Sequence, residues 1–370
     1  MVTAVPDFAR SAAAFVVVLG VLVFFHELGH YLAARWRGVR VETLSIGFGQ
    51  AITSWTDRHG TVWKLAWIPL GGYDKLHGQE RPEDVSDQVR AGWIAGETFH
   101  EKSVLSRAIV VAAGPIANFL LAMVVFAALF IVVGKPVTLP IIAEVMPDSA
   151  ASRAGLQAKD RIVAIAGDDI GTFEDLQRII TTHPAQTLAV TIRRRGANQE
   201  VSVTTESRQV GGRQVGLLGV RGGEVEYQYV GLPAALWGGV QKTWTITAET
   251  VGGLAQMISG ARGTNELGGP VRIAQLSGQV AQLGLASLVS FIAVLSVNLG
   301  LINLFPIPVL DGGHLLFYLV EALRGRPLPV RAQEYGFRAG LAVLACLFVF
   351  ATWNDLTNIG LFRWVAGLIG

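Results

Sequence analysis

The sequence predicts a membrane protein of about four transmembrane α-helices, with a short β-rich segment and one α+β domain of soluble composition between them. Three observations carry this reading. Of 370 residues, 51% are hydrophobic and only 16% are charged, a balance too apolar for an ordinary soluble chain of this length. Four apolar stretches are candidates for the ~20-residue helix that crosses a bilayer core. Between the second and third lies a region where apolar and polar residues alternate, the period of strands.

The first stretch covers residues 11–34 and carries no charge from Ala12 to Phe25. It lacks a strongly basic leading region, and ionisable residues occupy its end, so it reads as a retained span and not a signal peptide. That end is His26-Glu27-Leu28-Gly29-His30. Two histidines four apart share one helix face, where both can bind a single Zn²⁺. Glu27 is then placed as general base on a metal-bound water. The plain alternative is a buried histidine pair with a glutamate partner. Hydrocarbon offers little to offset such groups, so ionisable residues inside a span point to function.

Segments 44–49 and 61–73 are apolar, rich in β-formers and punctuated by glycine. The second span, 108–133, has no charge. From 137 to 221 the pattern alternates, with strands expected at 141–145, 161–165, 188–193 and 201–205 and short helices at 150–154 and 172–181. The string Ala154-Gly155-Leu156-Gln157-Ala158-Lys159-Asp160-Arg161-Ile162-Val163, then Gly167 and the helix 173–180, resembles a PDZ domain of the bacterial protease type. Such a module binds an extended peptide by strand addition. Gly216-Leu217-Leu218-Gly219 reads either as its carboxylate-binding loop or as a plain hairpin. Residues 232–278 turn helical and amphipathic, with Trp237, Trp244 and Met257 on apolar faces. They suit the membrane surface or packing against the PDZ-like domain.

The third span is expected at 284–305 and the fourth at 336–353, with Arg338 near its start. Between them runs Asn303-Leu304-Phe305-Pro306-Ile307-Pro308-Val309-Leu310-Asp311-Gly312-Gly313. Two prolines stop a regular helix, and broken backbone at membrane depth must be buried in protein or line a polar cavity. A zinc site needs a third protein ligand, leaving a position for water. Asp311 is the best candidate, and His314 competes on chemistry. His59, His77, His100 and His183 sit in polar segments and read as surface histidines. Cys346, the only cysteine, excludes an internal disulfide or a cysteine-rich metal site and reads as a small buried hydrophobe.

Arginine and lysine set the orientation. Arg35, Arg37 and Arg40 follow the first span, Lys102 and Arg107 precede the second, and Arg324, Arg326, Arg331 and Arg338 lie between the third and fourth. These loops should face the cytoplasm, with both termini and residues 134–282 on the other side. The His/Glu motif then lies in the membrane toward the cytoplasmic leaflet. Net charge is only +2, so no nucleic-acid partner is indicated.

His-Glu-x-x-His in the first span with Asn-x-x-Pro-x-Pro-x-Leu-Asp-Gly-Gly after the third resembles the site-2 protease family of intramembrane zinc metalloproteases. Within it, the chain is most similar to the branch of the bacterial sigma-E envelope-stress protease. Ser45–Gly49, Ile68–Tyr73, Gly114-Pro115-Ile116-Ala117-Asn118 and Gly269-Pro270 carry the same resemblance. It implies zinc ligands His26, His30 and Asp311, with Glu27 as base and Asn303 holding substrate backbone near the metal. It also implies that the β-rich segment is a membrane-associated hairpin sheet. Around Ile46, Gly47, Gly71 and Gly72 its strand edge would pair with an unwound substrate. One departure is the room for a single PDZ domain, where the best-known member of the branch has two.

The expected organisation is therefore an N-terminal membrane part (1–136), a PDZ domain (137–222), an amphipathic helical linker (223–283) and a C-terminal membrane part (284–370). The function expected is cleavage, in the bacterial inner membrane, of single-span membrane proteins already trimmed on their outer side. An anti-sigma factor or a signal-peptide remnant would qualify. The PDZ domain would sit outside the cytoplasm and bind peptide or exclude bulky substrates. A metal or ion transporter using the His/Asp cluster is the alternative, favoured only if internal inverted repeats were present, and none is seen. An inactive scaffold conflicts with the intact His-Glu-His-Asp set.

Overall fold

The computed structural model describes residues 4–80, 85–210, 213–261, 263 and 268–358. The outermost ends of the first and last expected domains, and part of the loop before Gly268, lie outside these residues. The elements in chain order begin with α1 (Ala4–Trp36), β1 (Val41–Thr56), β2 (Val62–Leu76), α2 (Asp87–Ala91) and α3 (Val104–Val132). Then come β3 (Lys135–Thr138), β4 (Ile142–Val145), α4 (Ala150–Arg153), β5 (Arg161–Ile165), β6 (Asp168–Asp169) and α5 (Phe173–Thr182). Six strands follow: β7 (Thr187–Arg194), β8 (Ala197–Thr204), β9 (Glu206–Val210), β10 (Arg213–Leu217), β11 (Val220–Gly222) and β12 (Val225–Gln228). The chain finishes with α6 (Leu232–Ile258), α7 (Pro270–Gln282), α8 (Leu285–Asn303), α9 (Asp311–Arg324) and α10 (Val330–Asn358).

Among the described residues four helices, α1, α3, α8 and α10, are long and apolar enough to cross a membrane. They match the four expected spans, although α10 begins earlier than the apolar pattern suggested. The stretch expected to be one amphipathic region divides into α6 and α7. The fourteen residues of α9 form an element that was not anticipated.

The chain forms two compact units. One contains the chain up to Ala128 and again from Leu236; the other is Leu129–Ala235. In the first unit, Gly29 lets α1 lie directly on α3, since a Cβ there would stand 2.4 Å from Ala113 O and 2.7 Å from Ala117 Cβ. Val18 and Leu22 of α1 pack on Ile292 of α8. Asp355 of α10 is buried and accepts the Gly269 and Arg272 amides at the start of α7. It thereby satisfies donors that a helix N-terminus leaves free.

β1 and β2 form an antiparallel hairpin folded so that the start of β1 is paired on both sides, Leu44 with Asp74 and Trp63, Ser45 with Tyr73 and Lys64, and Ile46 with Gly72 and Leu65. Val41 and Leu44 are fully buried in a cluster with Ala34 and Val110, which fastens the start of β1 to α1 and α3. The far part of the hairpin exposes Ile52, Trp55, Trp67 and Ile68. Asp57 closes its turn, accepting from the His59 and Thr61 amides, Tyr31 Oη and Trp63 Nε1. Burial alone would raise the Asp57 carboxyl, but these donors hold it well below the usual carboxylate range.

Two sequence expectations are corrected here. His77 is no surface histidine: it is 6% exposed. Its Nδ1 pairs with Glu42, and its Nε2 accepts the Ile94 amide. Burial is possible because both ring nitrogens are satisfied. Cys346 is exposed on α10 and not buried. An apolar face on a membrane-length helix does not require protein against it.

The second unit holds a four-stranded sheet in the order β6-β5-β7-β8, with β4 paired to β11 and β3 to β12. Ile142, Ile162, Ile165, Leu176, Val190, Ile192 and Val203 form its core. The expected strands and both short helices appear, and the 137–222 region lies inside this unit. Thr172 and Asp175 start α5 with reciprocal capping bonds. Asp160, 1% exposed, pairs with Arg194 at 2.6 Å and accepts the Gln157 amide. Burial opposes its charge, yet Arg194 and that amide keep the carboxyl below the usual range. A groove of about 140 Å³ runs between α5 and residues 216–220, lined by Leu176, Ile180, Leu218 and Gly219. Gly216 and Leu217 end β10, and Leu218 and Gly219 lead into β11 beside this groove.

Candidate metal centre and active site

His26, Glu27 and His30 occupy consecutive turns of α1, and Asp311 is the first residue of α9. The fold brings the two histidines and the aspartate together. His26 Nε2 and His30 Nε2 lie 3.3 Å apart. Asp311 approaches them at 3.2 Å and 3.7 Å. Ligands about 2.0–2.1 Å from one tetrahedral ion stand about 3.3 Å from each other, so these atoms are spaced to share one. Among the described residues this is the one cluster of three such side chains.

The surroundings fit a cation. His30 Nδ1 donates to Val110 O at 2.9 Å, which fixes the tautomer and leaves Nε2 as a lone pair. The side-chain amide of Asn118 lies 3.1 Å from His26 Nδ1, and Asn118 Oδ1 is buried with no partner among the described residues. Amide oxygen and nitrogen exchange places on rotation. With Oδ1 turned inward, His26 Nδ1–H donates to it, and His26 Nε2 also becomes a free lone pair. Asp311 Oδ2 is buried with no hydrogen-bond partner among the described residues. Two imidazole lone pairs and a carboxylate facing one point repel each other unless a cation lies between them.

Other residues make the space. A Cβ on Gly114 of α3 would fall 2.3 Å from His30 Nε2 and 2.9 Å from His26 Cε1. Ser296 of α8 donates to Asn118 O at 2.8 Å, and Gly300 lets α8 approach Pro115 O. Gly114-Pro115-Ile116-Ala117-Asn118 is thus the surface against which the histidines are set. The sequence displayed this motif without its role.

Asp311 is placed by a folded-back loop. The chain leaves α8 at Asn303, passes Pro306 and Pro308, and returns over the start of α9. A Cβ on Gly312 would meet Leu304 O and Phe305 O at 2.3 Å each, and one on Gly313 would meet Ile307 O at 2.4 Å. Val309 takes φ 99°, a strained conformation for a β-branched residue.

The cluster opens into a cavity of about 640 Å³ lined by Glu27, Asn303, Gly72, Tyr73, Asp74 and His314, among others. Glu27 is only 8% exposed. Asn303 shares the cavity wall with the cluster. Gly72 does as well, and it also lets β2 press on α1, because a Cβ there would lie 2.9 Å from Glu27 Cγ. Gly71, Ile46 and Gly47 do not line the cavity. Gly71 sits under the Phe48 ring, and Gly47 (φ 92°) against the Ile68 and Ala66 carbonyls. His314 lines the cavity but packs on Phe337, outside the three-residue cluster. Val110 and Asp74 belong to this site and were not singled out from the sequence, and Gly114 and Asn118 stood there only in a motif without a role.

A model of peptidase family M50 matches residues 14–347. A protein of Rhizobium meliloti (strain 1021), whose name places it among the zinc metalloproteases, is 45% identical over 355 residues. That match covers 92% of this chain and 95% of the relative. A similarly named protein of Agrobacterium fabrum is 42% identical, covering 93% of this chain and 95% of its own. The regulator of sigma-E protease of Salmonella typhimurium is 33% identical, covering 94% of this chain and 99% of its own. Among solved structures, a PDZ domain of an SdrC-like protein from Listeria monocytogenes covers 22% of this chain at 17% identity and TM-score 0.20, too distant to bear on the fold.

Proposed function

This chain belongs to peptidase family M50 and is a zinc metalloprotease, and from that premise we propose that it cuts peptide bonds within membrane-spanning segments. One observation carries the reading. Three ligand-type atoms from α1 and α9 converge at 3.2–3.7 Å beside Glu27, and the two histidines stand on α1, a helix long and apolar enough to cross a membrane.

In this reading His26, His30 and Asp311 hold Zn²⁺. When bound, the metal supplies a Lewis acid that polarises the scissile carbonyl and acidifies a water. Glu27 accepts the proton of that water at its carboxylate and delivers it to the leaving amine. Asn303 at the end of α8 offers its side-chain amide to the substrate backbone. A helical substrate hides its peptide groups in its own hydrogen bonds, so it must unwind before cleavage. The β1–β2 hairpin, with apolar side chains exposed along its far part, lies at the membrane and offers a strand edge to the freed groups.

The substrate is a single-span membrane protein trimmed beforehand on its outer side, such as an anti-sigma factor or a signal-peptide remnant. The chain resides in a bacterial inner membrane with its metal site toward the cytoplasmic leaflet. Residues 137–222, inside the Leu129–Ala235 unit, are a PDZ domain on the outer side. The relatives give the transporter alternative no support.

Zinc analysis combined with cleavage of a model single-span substrate tests this. Glu27→Gln should keep the metal and lose at least about 100-fold in rate, the scale of a missing general base. His26→Ala, His30→Ala and Asp311→Ala should lose metal and activity together. Substantial cleavage by Glu27→Gln would refute the mechanism.

A further inference from the structure

Gly72, Asp74 and Leu76 fall on one face of β2, because side chains alternate along a strand. The face is turned to α1: Gly72 abuts Glu27, Leu76 joins the buried cluster with Tyr31, and all three residues line the cavity of the metal site. Both carboxylate oxygens of Asp74 are shut off from solvent, and among the described residues neither has a hydrogen-bond partner. An unsatisfied buried carboxylate is costly. In a cavity built to receive another chain, the missing donor is naturally one that arrives with it.

The charge balance points the same way. Glu27, Asp74, Glu80, Asp311 and Glu321 line the cavity, against Arg107 as its lining guanidinium. Arg107 is already paired with Glu321 at 2.6 Å. Asp311 faces the histidines, and Glu27 is assigned to the water. Asp74 is left as the enclosed acid without a task.

We propose that Asp74 is a specificity-determining residue, an acidic subsite that accepts a nitrogen-donor side chain (Lys, Arg, Asn or Gln) at one fixed position from the scissile bond. The inference rests on the protease reading above. Its register follows from β2: a substrate strand laid along this hairpin beside Gly72 and Tyr73 would carry alternate side chains toward the Asp74 face. Nitrogen donors are rare inside membrane spans, so one such residue distinguishes a substrate helix from a wholly apolar one. It also weakens that helix in lipid where unwinding is needed.

The test uses the full-length, zinc-loaded protein in detergent with single-span peptides that carry Leu, Gln or Lys at successive positions near the cut. Binding is measured in a Glu27→Gln background and cleavage in the parent. At one position the donor peptides should bind and be cut at least about tenfold better than the Leu peptide, the scale of a buried charge-assisted hydrogen bond. Asp74→Leu should remove this preference while zinc content and thermal midpoint hold. Asp74→Asn, which keeps the shape, should lose the advantage of Lys and serves if the leucine variant does not fold. The proposal is overturned if both variants rank the peptides as the parent does, or if they slow all peptides equally. Failure of the protease reading would look different: the zinc-loaded parent would cut no peptide, while the binding ranks could still be read.

Discussion

Gly114 has no side chain, and the two histidine rings occupy the space one would fill. A single methyl there would fall 2.3 Å from the His30 nitrogen that faces Asp311 and 2.9 Å from His26 Cε1, so both rings would have to move. Gly114→Ala should therefore lower zinc affinity by about 10- to 100-fold, the range seen when groups supporting metal ligands are disturbed. The spans should persist. Metal retained after dialysis against a chelator series, beside far-ultraviolet circular dichroism, measures both; unchanged retention would show that the rings are not held by this contact. Residues of this kind were the least legible in the sequence. His26 and His30 could be read because four residues on a helix fix a distance locally. Val110, Gly114 and Asn118 meet those histidines across 80 or more positions of chain, and no local spacing encodes such a meeting. Asp74 was hidden likewise, since its isolation depends on what α1 and β2 exclude.

The connection from α8 to α9 sets the carboxylate side of the site. Two prolines, a valine at φ 99° and two glycines beneath carbonyls keep the turn tight. Gly312→Ala places a methyl 2.3 Å from two carbonyl oxygens and must shift the loop or the start of α9. The expected outcome is a loss of about 1–3 kcal/mol of stability, the usual cost of overpacking, with zinc loss out of proportion to it because Asp311 is the adjacent residue. Thermal unfolding with and without added zinc separates the two effects; a metal-free protein as destabilised as the loaded one would argue against the link to Asp311. At this scale the apolar spans were legible from hydropathy alone, and the strands of the second unit from alternation. α9 was not. It is too short and too polar on one face to register as a span, and the two prolines before it and the Gly pair in its first turn read as loop. The division between α6 and α7 was missed because both halves carry helical periodicity.

The whole chain divides into one unit carrying the metal cluster and another, Leu129–Ala235, without a described residue of it. On the proposed reading the first unit carries the chemistry and the second selects substrate. Replacing residues 137–221 by a flexible linker should leave cleavage of trimmed substrates measurable and should raise cleavage of untrimmed ones. A folded, zinc-loaded deletion that cuts neither, or that discriminates as well as the intact chain, would contradict this division. Cysteine labelling should find the Arg58 and Arg324 loops on the cytoplasmic side and the second unit opposite; the reverse would overturn the orientation read from arginine placement.

The cluster that joins α1 to α9 also has a consequence in time. His26 is made early, whereas Asp311 follows 285 residues later. At ribosomal speeds of about 5–20 residues per second, that interval is roughly 15 to 60 s. Throughout it the chain has histidines and a base but no carboxylate to complete the set. On the proposed assignment of Asp311 as the third ligand, the protease is inactive while it is being inserted, and a product that stops short of Asp311 never becomes active.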